Sequence, residues 1–393
     1  MQGHVRRRGK RTWAVIVDLD RGPDGKRKQK WHTVQGTKKD AETERTKLLN
    51  AMETGCYVEP GKLTVGEYLE KWLTEYAKTS VAPTTYQRYQ CIVRLHLVKA
   101  LGQIPLTKLQ PLHIQGYYSQ ALQTGRLDKE SKTKGLAART VGHHHRVLSE
   151  ALSRAVKWQI LARNPADAVD PPRVEDKEVQ AIDEAAAAWL IDAAIGTRLY
   201  EPIMIALTTG MRRGEVLALR WSDCDLVRGS VTVLRSLEET KEGGLRFKDV
   251  KRKRSRRPIS LPGILIEALS AHRQEQARHR ELYGAEYNDG GLVCCKEDGS
   301  VWKPSAFTSA YRDLLRRRKI ANIPFHNLRH SHASQLLRAG VNPKVISERL
   351  GHSKVAFTMD VYAHLFPGMQ EEAAGKTDSG LRNALEKQRQ HRA

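Results

Sequence analysis

A tyrosine at position 362, arginines at 212 and 329, histidines at 326 and 352 and a run of lysines and arginines from 248 to 257 could do chemistry together in this chain. They fall in separate pieces: Thr209-Gly210-Met211-Arg212-Arg213-Gly214-Glu215, the basic segment from Lys248 to Arg257, His326-Asn327-Leu328-Arg329-His330, and Leu350-Gly351-His352 with Tyr362 ten residues on. Each piece alone is weak, since a lone HxxR on a helix is usually a surface pair and a tyrosine near a histidine usually packs. In this order they supply what phosphodiester cleavage without a metal requires. That is a nucleophile, a general base, an acid for the departing 5′ oxygen, and fixed cations for the charge growing on the phosphoryl oxygens.

Arg212 stands two residues after a glycine, at the start of an apolar-striped helix (Val216, Leu217, Leu219), where the backbone can turn and hold a guanidinium inward. Arg329 lies three residues from His326, so on a helix the two share a face and can reach one phosphate together. Planar guanidinium forks match the non-bridging oxygens bidentately, which ammonium groups do less well, and so take the place of magnesium. Tyrosine is a poor nucleophile at its ordinary pKa of about 10 and needs a proton acceptor or nearby positive charge. His326 is the better candidate base. A phosphotyrosine keeps the energy of the broken bond, so rejoining needs no ATP, and no GxxxxGK[ST] run is present. His352, just after a helix end, suits a phosphate contact or support of the acid–base pair. No cofactor or metal is expected.

These residues need a scaffold, and 393 residues suggest two to four domains on a soft prior of roughly 100 to 200 residues each. Lys plus Arg number 67 against 44 Asp plus Glu, a formal charge of +23, which points to a polyanionic partner such as nucleic acid. No apolar run is long enough for a membrane span, and the basic start leads into no secretory apolar core. Cys56, Cys91, Cys224, Cys294 and Cys295 have no CxxC spacing, so neither a disulfide framework nor a zinc site is expected, and a reducing cytoplasm is the expected location.

Along the chain, alternation from Thr12 to Asp18, a turn at Arg21-Gly22-Pro23-Asp24-Gly25 and a strand through Lys30 to Val34 predict a small sheet. A helix with Ala41, Leu48, Leu49 and Met52 on one face follows. Arg6, Arg7, Arg8, Lys10, Arg11, Lys26, Arg27 and Lys28 place positive charge on the edges of this sheet, as sheet-based DNA readers do, although lysines on a solvated strand edge also discourage aggregation. Thr64-Val65-Gly66-Glu67 has capping-box form, and helical patterns begin there and after Pro83, Pro111 and Thr140, making a four-helix module. His143, His144 and His145 are consecutive, so on a helix they point about 100° apart and cannot converge on one ion; they are read as structural or DNA-facing.

The expected domains are 1–57 (three-stranded sheet plus helix), 62–168 (helical), a proline-bearing linker 169–180, a mixed, helix-rich domain 181–370, and a polar tail 371–393. Helices near 183–195 and 199–208 should precede strands around 230–237, 245–248 and 256–261, with mostly helices to about 366. The fold class is therefore multidomain, mainly α with small β-sheets.

TTGMRRGE, FHNLRHSHAS and RLGHSKVAFTMDVYAHL resemble the signature boxes of the tyrosine recombinases, the phage integrase family. The likeness covers roughly 180 to 370. It implies that Arg212 and Arg329 are the catalytic arginines, His326 and His352 the motif histidines, Tyr362 the nucleophile, and Glu215 the acid that braces the first arginine. The family also carries a hairpin lysine that protonates the leaving oxygen. VKRKRSRRPISL resembles that segment, and aligning the paired arginines assigns Lys253, with Lys248 and Lys251 close by. Lys251, Arg252, Arg254 and Arg256 would then contact DNA.

The helical module is similar to the family's core-binding domain, and the basic sheet to the arm-binding domain of larger integrases. The implied function is site-specific recombination through a 3′-phosphotyrosine and a Holliday junction, as a homotetramer on double-stranded DNA with core and arm sites, integrating or excising a phage or mobile element. An excisionase or DNA-bending protein would be an accessory partner. A type IB topoisomerase shares the chemistry, but domain order and the HxxR box argue against it; a DNA-binding regulator with this fold would not need the complete residue set.

Overall fold

The computed structural model describes residues 3–19, 28–53, 63–128, 133–175, 181–240, 243–249, 256–352, 355, 356, 359 and 369–390. The chain divides into two compact units, residues 1–175 and 176–393.

The first unit opens with an antiparallel sheet of β1 (Gly3–Arg7), β2 (Thr12–Leu19) and β3 (Lys28–Gln35), followed by helix α1 (Lys38–Glu53). The basic start, read above only as charge, is therefore itself a strand. Val15, Val17 and Ala41 are buried, with Val5, Trp13, Val34, Leu48 and Leu49 packed around them. Arg6 pairs in register with Ala14 and Arg7 with Trp13, so strand alternation sends the two arginines to opposite faces. The Arg7 guanidinium lies 5.9 Å from the Trp13 ring and that of Arg8 5.2 Å from the half-exposed Trp31. Lys10 and Arg11 sit exposed in the β1–β2 turn, and Lys28 opens β3.

The helical part follows its start signals. Thr64 accepts from the Glu67 backbone N–H while the Glu67 carboxylate accepts from that of Thr64, the expected capping box for α2 (Val65–Trp72). Pro83 and Pro111 occupy the first turns of α3 (Pro83–Ile92) and α4 (Pro111–Thr124), where their missing N–H costs nothing. α5 (Ala138–Lys157) completes the set. α2 and α3 each run on through a π-helical turn, Leu73–Ala77 and Val93–Leu97, which keeps Leu73, Ala77, Val93 and Leu97 buried. Tyr68, Leu69, Trp72, Ile114, Leu148 and Leu152 are buried in one core.

In the second unit α6 (Glu184–Ala194) starts on Asp183, whose side chain accepts from the Ala186 N–H. α7 (Tyr200–Thr209) is buried nearly throughout and ends on Gly210 at φ +68°. α8 (Arg213–Leu217) follows at once. β4 (Cys224–Asp225), β5 (Ser230–Val233) and β8 (Arg257–Ser260) form one antiparallel sheet. β6 (Arg235–Thr240) and β7 (Gly244–Asp249) form a separate pair, so the strand expected over 230–237 is broken in two. Long α9 (Gly263–Tyr283) precedes α10 (Pro304–Arg317), α11 (Phe325–Arg338) and α12 (Pro343–Leu350). The tail, expected only to be polar, holds a helix, α13 (Met369–Gln390), exposed over 374–390. The architecture is thus multidomain and mainly helical with small sheets. Among the described residues no helix is long and apolar enough to cross a membrane.

Candidate active site

Arg212 is the N-cap of α8, in extended backbone, and Glu215 is one turn in. The Glu215 carboxylate accepts the Arg212 backbone N–H at 2.9 Å and its Nη1 at 2.8 Å, an arginine version of the capping box. Glu215 is 3% exposed, whereas the Arg212 side chain keeps 44% of its surface open. Burial alone would raise the Glu215 pKa. The hydrogen bonds and charge of Arg257, then those of Arg212, more than offset it and hold the carboxyl at about 2.

Arg329 is buried in α11 at 2% exposure. Its Nη1 donates to the Gly210 carbonyl and its Nη2 to that of Leu350, each at 2.7 Å. Those oxygens belong to the C-terminal ends of α7 and α12, where a helix carries partial negative charge and its last carbonyls seek donors. Sequence reasoning gave this guanidinium entirely to the phosphate. Both of its terminal nitrogens instead also stitch two helix ends together, which fixes the direction in which it faces.

His326 and His330 are one turn apart on α11, their rings 5.0 Å from centre to centre and nearly perpendicular. Burial, then the charges of Arg329 and Arg212, lower the His326 pKa against an opposing pull from Glu215. His352 follows Gly351, the left-handed cap of α12. Burial, then Arg329, Arg212, His330 and Arg257, push it down to about 4. Arg212 and Glu215 thus lie within electrostatic reach of His326, Arg329 and His352, more than a hundred residues further along the chain.

Tyr362, Lys251, Arg252, Lys253 and Arg254, and Lys26 and Arg27 of the first unit, fall outside the described residues. Lys248, on the β6–β7 pair, bonds Glu238 at 2.9 Å. Arg256 is exposed beside β8. Among the described residues no group of three or more His, Cys, Asp and Glu side chains could hold a metal ion.

Sequence reasoning passed over Arg257, which is 4% exposed. Its Nη2 and Nη1 donate to Glu215 at 2.8 and 3.3 Å, and its Nε to the Arg349 carbonyl at 2.7 Å. The signal was present as alternation in β8, where Arg257 and Ile259 point in and Pro258 and Ser260 out. Arg349 was missed as well: its Nε donates to His332 Nε2 at 3.0 Å and its Nη2 to the carbonyls of Thr208 and Ser260 at 2.9 and 3.0 Å. Two glycines at φ +68° make these approaches possible. A Cβ on Gly210 would stand 2.5 Å from Leu350 Cδ2, and one on Gly351 3.0 Å from Arg257 Nη1.

The model of the phage integrase family matches residues 172–368, half of the chain, and that of the phage integrase N-terminal SAM-like domain matches residues 64–122. The chain is 29% identical over 383 residues to a XerC-like tyrosine recombinase of Caldanaerobacter subterraneus subsp. tengcongensis, covering 93% of this chain and 95% of that protein. In structure it resembles the Tn1549 transposon integrase in complex with a circular intermediate DNA, with a TM-score of 0.66 at 19% identity over 81% of this chain and 99% of that one. It also resembles lambda integrase in a tetramer bound to a Holliday junction, with a TM-score of 0.53 at 16% identity over 89% of this chain and 95% of that one. The chain belongs to the phage integrase family and is a tyrosine recombinase, an enzyme that transfers DNA strands.

Proposed function

We propose that the chain is the integrase of a phage or other mobile element, acting as a homotetramer on two double-stranded DNA sites and exchanging one strand at a time through a Holliday junction. The observation that carries this reading is the meeting of Arg212, Arg329, His326 and His352 at one place, two guanidiniums beside imidazoles kept neutral. Arg212 and Arg329 hold the non-bridging oxygens of the scissile phosphate. The Tyr362 phenolic oxygen attacks phosphorus, its proton passing to His326, and the 5′ oxygen leaves with a proton from Lys253. The DNA phosphodiester is exchanged for a 3′-phosphotyrosine ester, which a 5′ hydroxyl of the partner strand reverses, with neither nucleotide nor metal consumed.

The mobile-element use rests on relatives: the Tn1549 protein is a transposon integrase, and lambda integrase is bound to a Holliday junction as a tetramer. Residues 62–168 act as a core-binding domain, clamping the crossover site together with the catalytic domain 181–370 across the linker 169–180, and the tail is 371–393. Residues 1–57 bind arm-type sites through Arg6, Arg7, Arg8, Lys10, Arg11, Lys26, Arg27 and Lys28. Lys251, Arg252, Arg254 and Arg256 contact the backbone near the cut. The reaction takes place in the cytoplasm, with an excisionase or DNA-bending protein as an accessory partner.

A nicked suicide duplex carrying the element's own attachment site tests this. The full-length protein should form a denaturant-resistant DNA adduct and Tyr362→Phe should form none; an adduct in that variant would refute the nucleophile. Deleting residues 1–57 should leave core-site cleavage intact and abolish recombination that needs arm sites.

A further inference from the structure

We propose that Arg257 is a positioning residue for strand cleavage, holding Glu215 so that Arg212 is presented to the phosphate and fixing the turn that carries His352. The proposal deepens the recombinase reading and rests on it. Arg257 leaves β8 on the inward side, beside Ile259, and its guanidinium touches two other pieces of the site. Toward α8 it takes Glu215 by both terminal nitrogens; toward α12 its Nε takes the Arg349 carbonyl, three residues before His352. Gly351 packs flat against it, since a Cβ there would meet Nη1, Cδ and Cζ at 3.0 to 3.2 Å.

The contest for one carboxylate explains why this matters. Glu215 Oε2 accepts the Arg212 backbone N–H and Arg257 Nη2, so Arg212 is left one side-chain bond, from Nη1 to Oε1. A single bond at one edge leaves the rest of a half-exposed guanidinium turned outward. Without Arg257 the carboxylate could take Arg212 by both prongs, the preferred Arg–carboxylate geometry. That would draw into an internal ion pair the group meant for an incoming phosphate. The charged and titratable groups bearing on this carboxyl are Arg257 from β8, Arg212 of its own helix and the His326 imidazole from α11.

Single-turnover adduct formation by the full-length chain on saturating suicide duplex tests the assignment across about pH 4 to 8.5. Arg257→Met should slow cleavage by about 10²-fold, the size of losing one fixed donor, while the duplex is still bound. It should also move the acid limb of the rate profile to higher pH. Burial of Glu215 persists in the variant while the opposing effect of Arg257 is gone, so the carboxyl protonates higher. Arg257→Lys, which keeps the charge and loses the fork, should fall between. A side chain that merely filled space would lower the rate equally at every pH, so an unshifted limb or an unchanged rate overturns the proposal. Should Arg257→Met fail to fold, Arg257→Lys is read instead, and an unchanged cleavage rate in it overturns the proposal. Absence of an adduct with the unaltered protein would instead sink the recombinase reading itself.

Discussion

On α5, His143, His144 and His145 leave the helix in three directions and end on three partners. His143 meets Arg146, His144 is 1% exposed and shares a 2.6 Å hydrogen bond with the Tyr117 hydroxyl, and His145 one of 2.8 Å with that of Tyr118. On α11, His326 and His330 are spaced by one turn and share a face with Arg329. Histidines in both places are held neutral by burial first, and differ in what comes second. Burial, then the neighbouring His96, brings His144 down to about 4. At the site, the guanidiniums stand next after burial for His326 and His352. An imidazole neutral because it is buried is part of a core. One that arginine cations depress further, beyond burial, can accept a proton more readily once an anion has been gripped by those same cations.

The largest effect that could break this contrast is kinetic. His326→Phe should lower single-turnover cleavage by about 10² to 10⁴-fold, the usual range for losing a general base. His144→Phe should leave the rate per folded molecule unchanged, and an equal loss in both variants would erase the distinction. Stability comes next: His144→Phe strands the buried Tyr117 hydroxyl and should cost the first unit about 1 to 3 kcal/mol in a urea melt. A neutral result would mean that the Tyr117 bond holds nothing.

A third test uses pH. The unfolded chain takes up the His144 proton near 6.5 and the folded one only near 4. Its contribution to stability is therefore whole above about 6.5, is lost as pH falls toward 4, and stays lost below. The melting temperature of the first unit should drop between about pH 7 and 4.5, and His144→Phe should flatten that slope. The smallest effect sharpens the contrast by NMR: binding a core-site duplex should move the titrations of His326 and His352 upward, because a phosphate offsets the arginine charge, and leave that of His144 in place. Equal movement at all of them would refute the division.

How much of this was visible in the sequence follows from which residues carry their own signal. Arg212, His326, Arg329 and His352 stand in boxes with glycine and apolar neighbours at fixed spacing, so their meeting could be anticipated. Arg257 is one of seven Lys and Arg residues from Lys248 to Arg257, and composition cannot tell the buried arginine of such a run from the exposed ones; only the phase of β8 can. β1 was hidden for a related reason, since Arg6 and Arg7 read as charge, and it is pairing with β2 that makes them strand. The acceptors of Arg329 and Arg349 were beyond reach, because a backbone carbonyl has no letter in the sequence. The π-helical turns in α2 and α3 escaped because an extra residue in a turn shifts the apolar stripe without breaking it.

Arg329 is seated on the carbonyls of Gly210 and Leu350. Main-chain oxygens are common to every amino acid, so no point mutation can delete them. What mutation can alter is whether the chain bends there, and that depends on glycines 210 and 351, whose left-handed backbone other residues adopt only under strain. The inheritance of this seat therefore lies in two residues without side chains. A relative could change almost every neighbouring side chain and keep the arginine in place, provided both hinges stay bare.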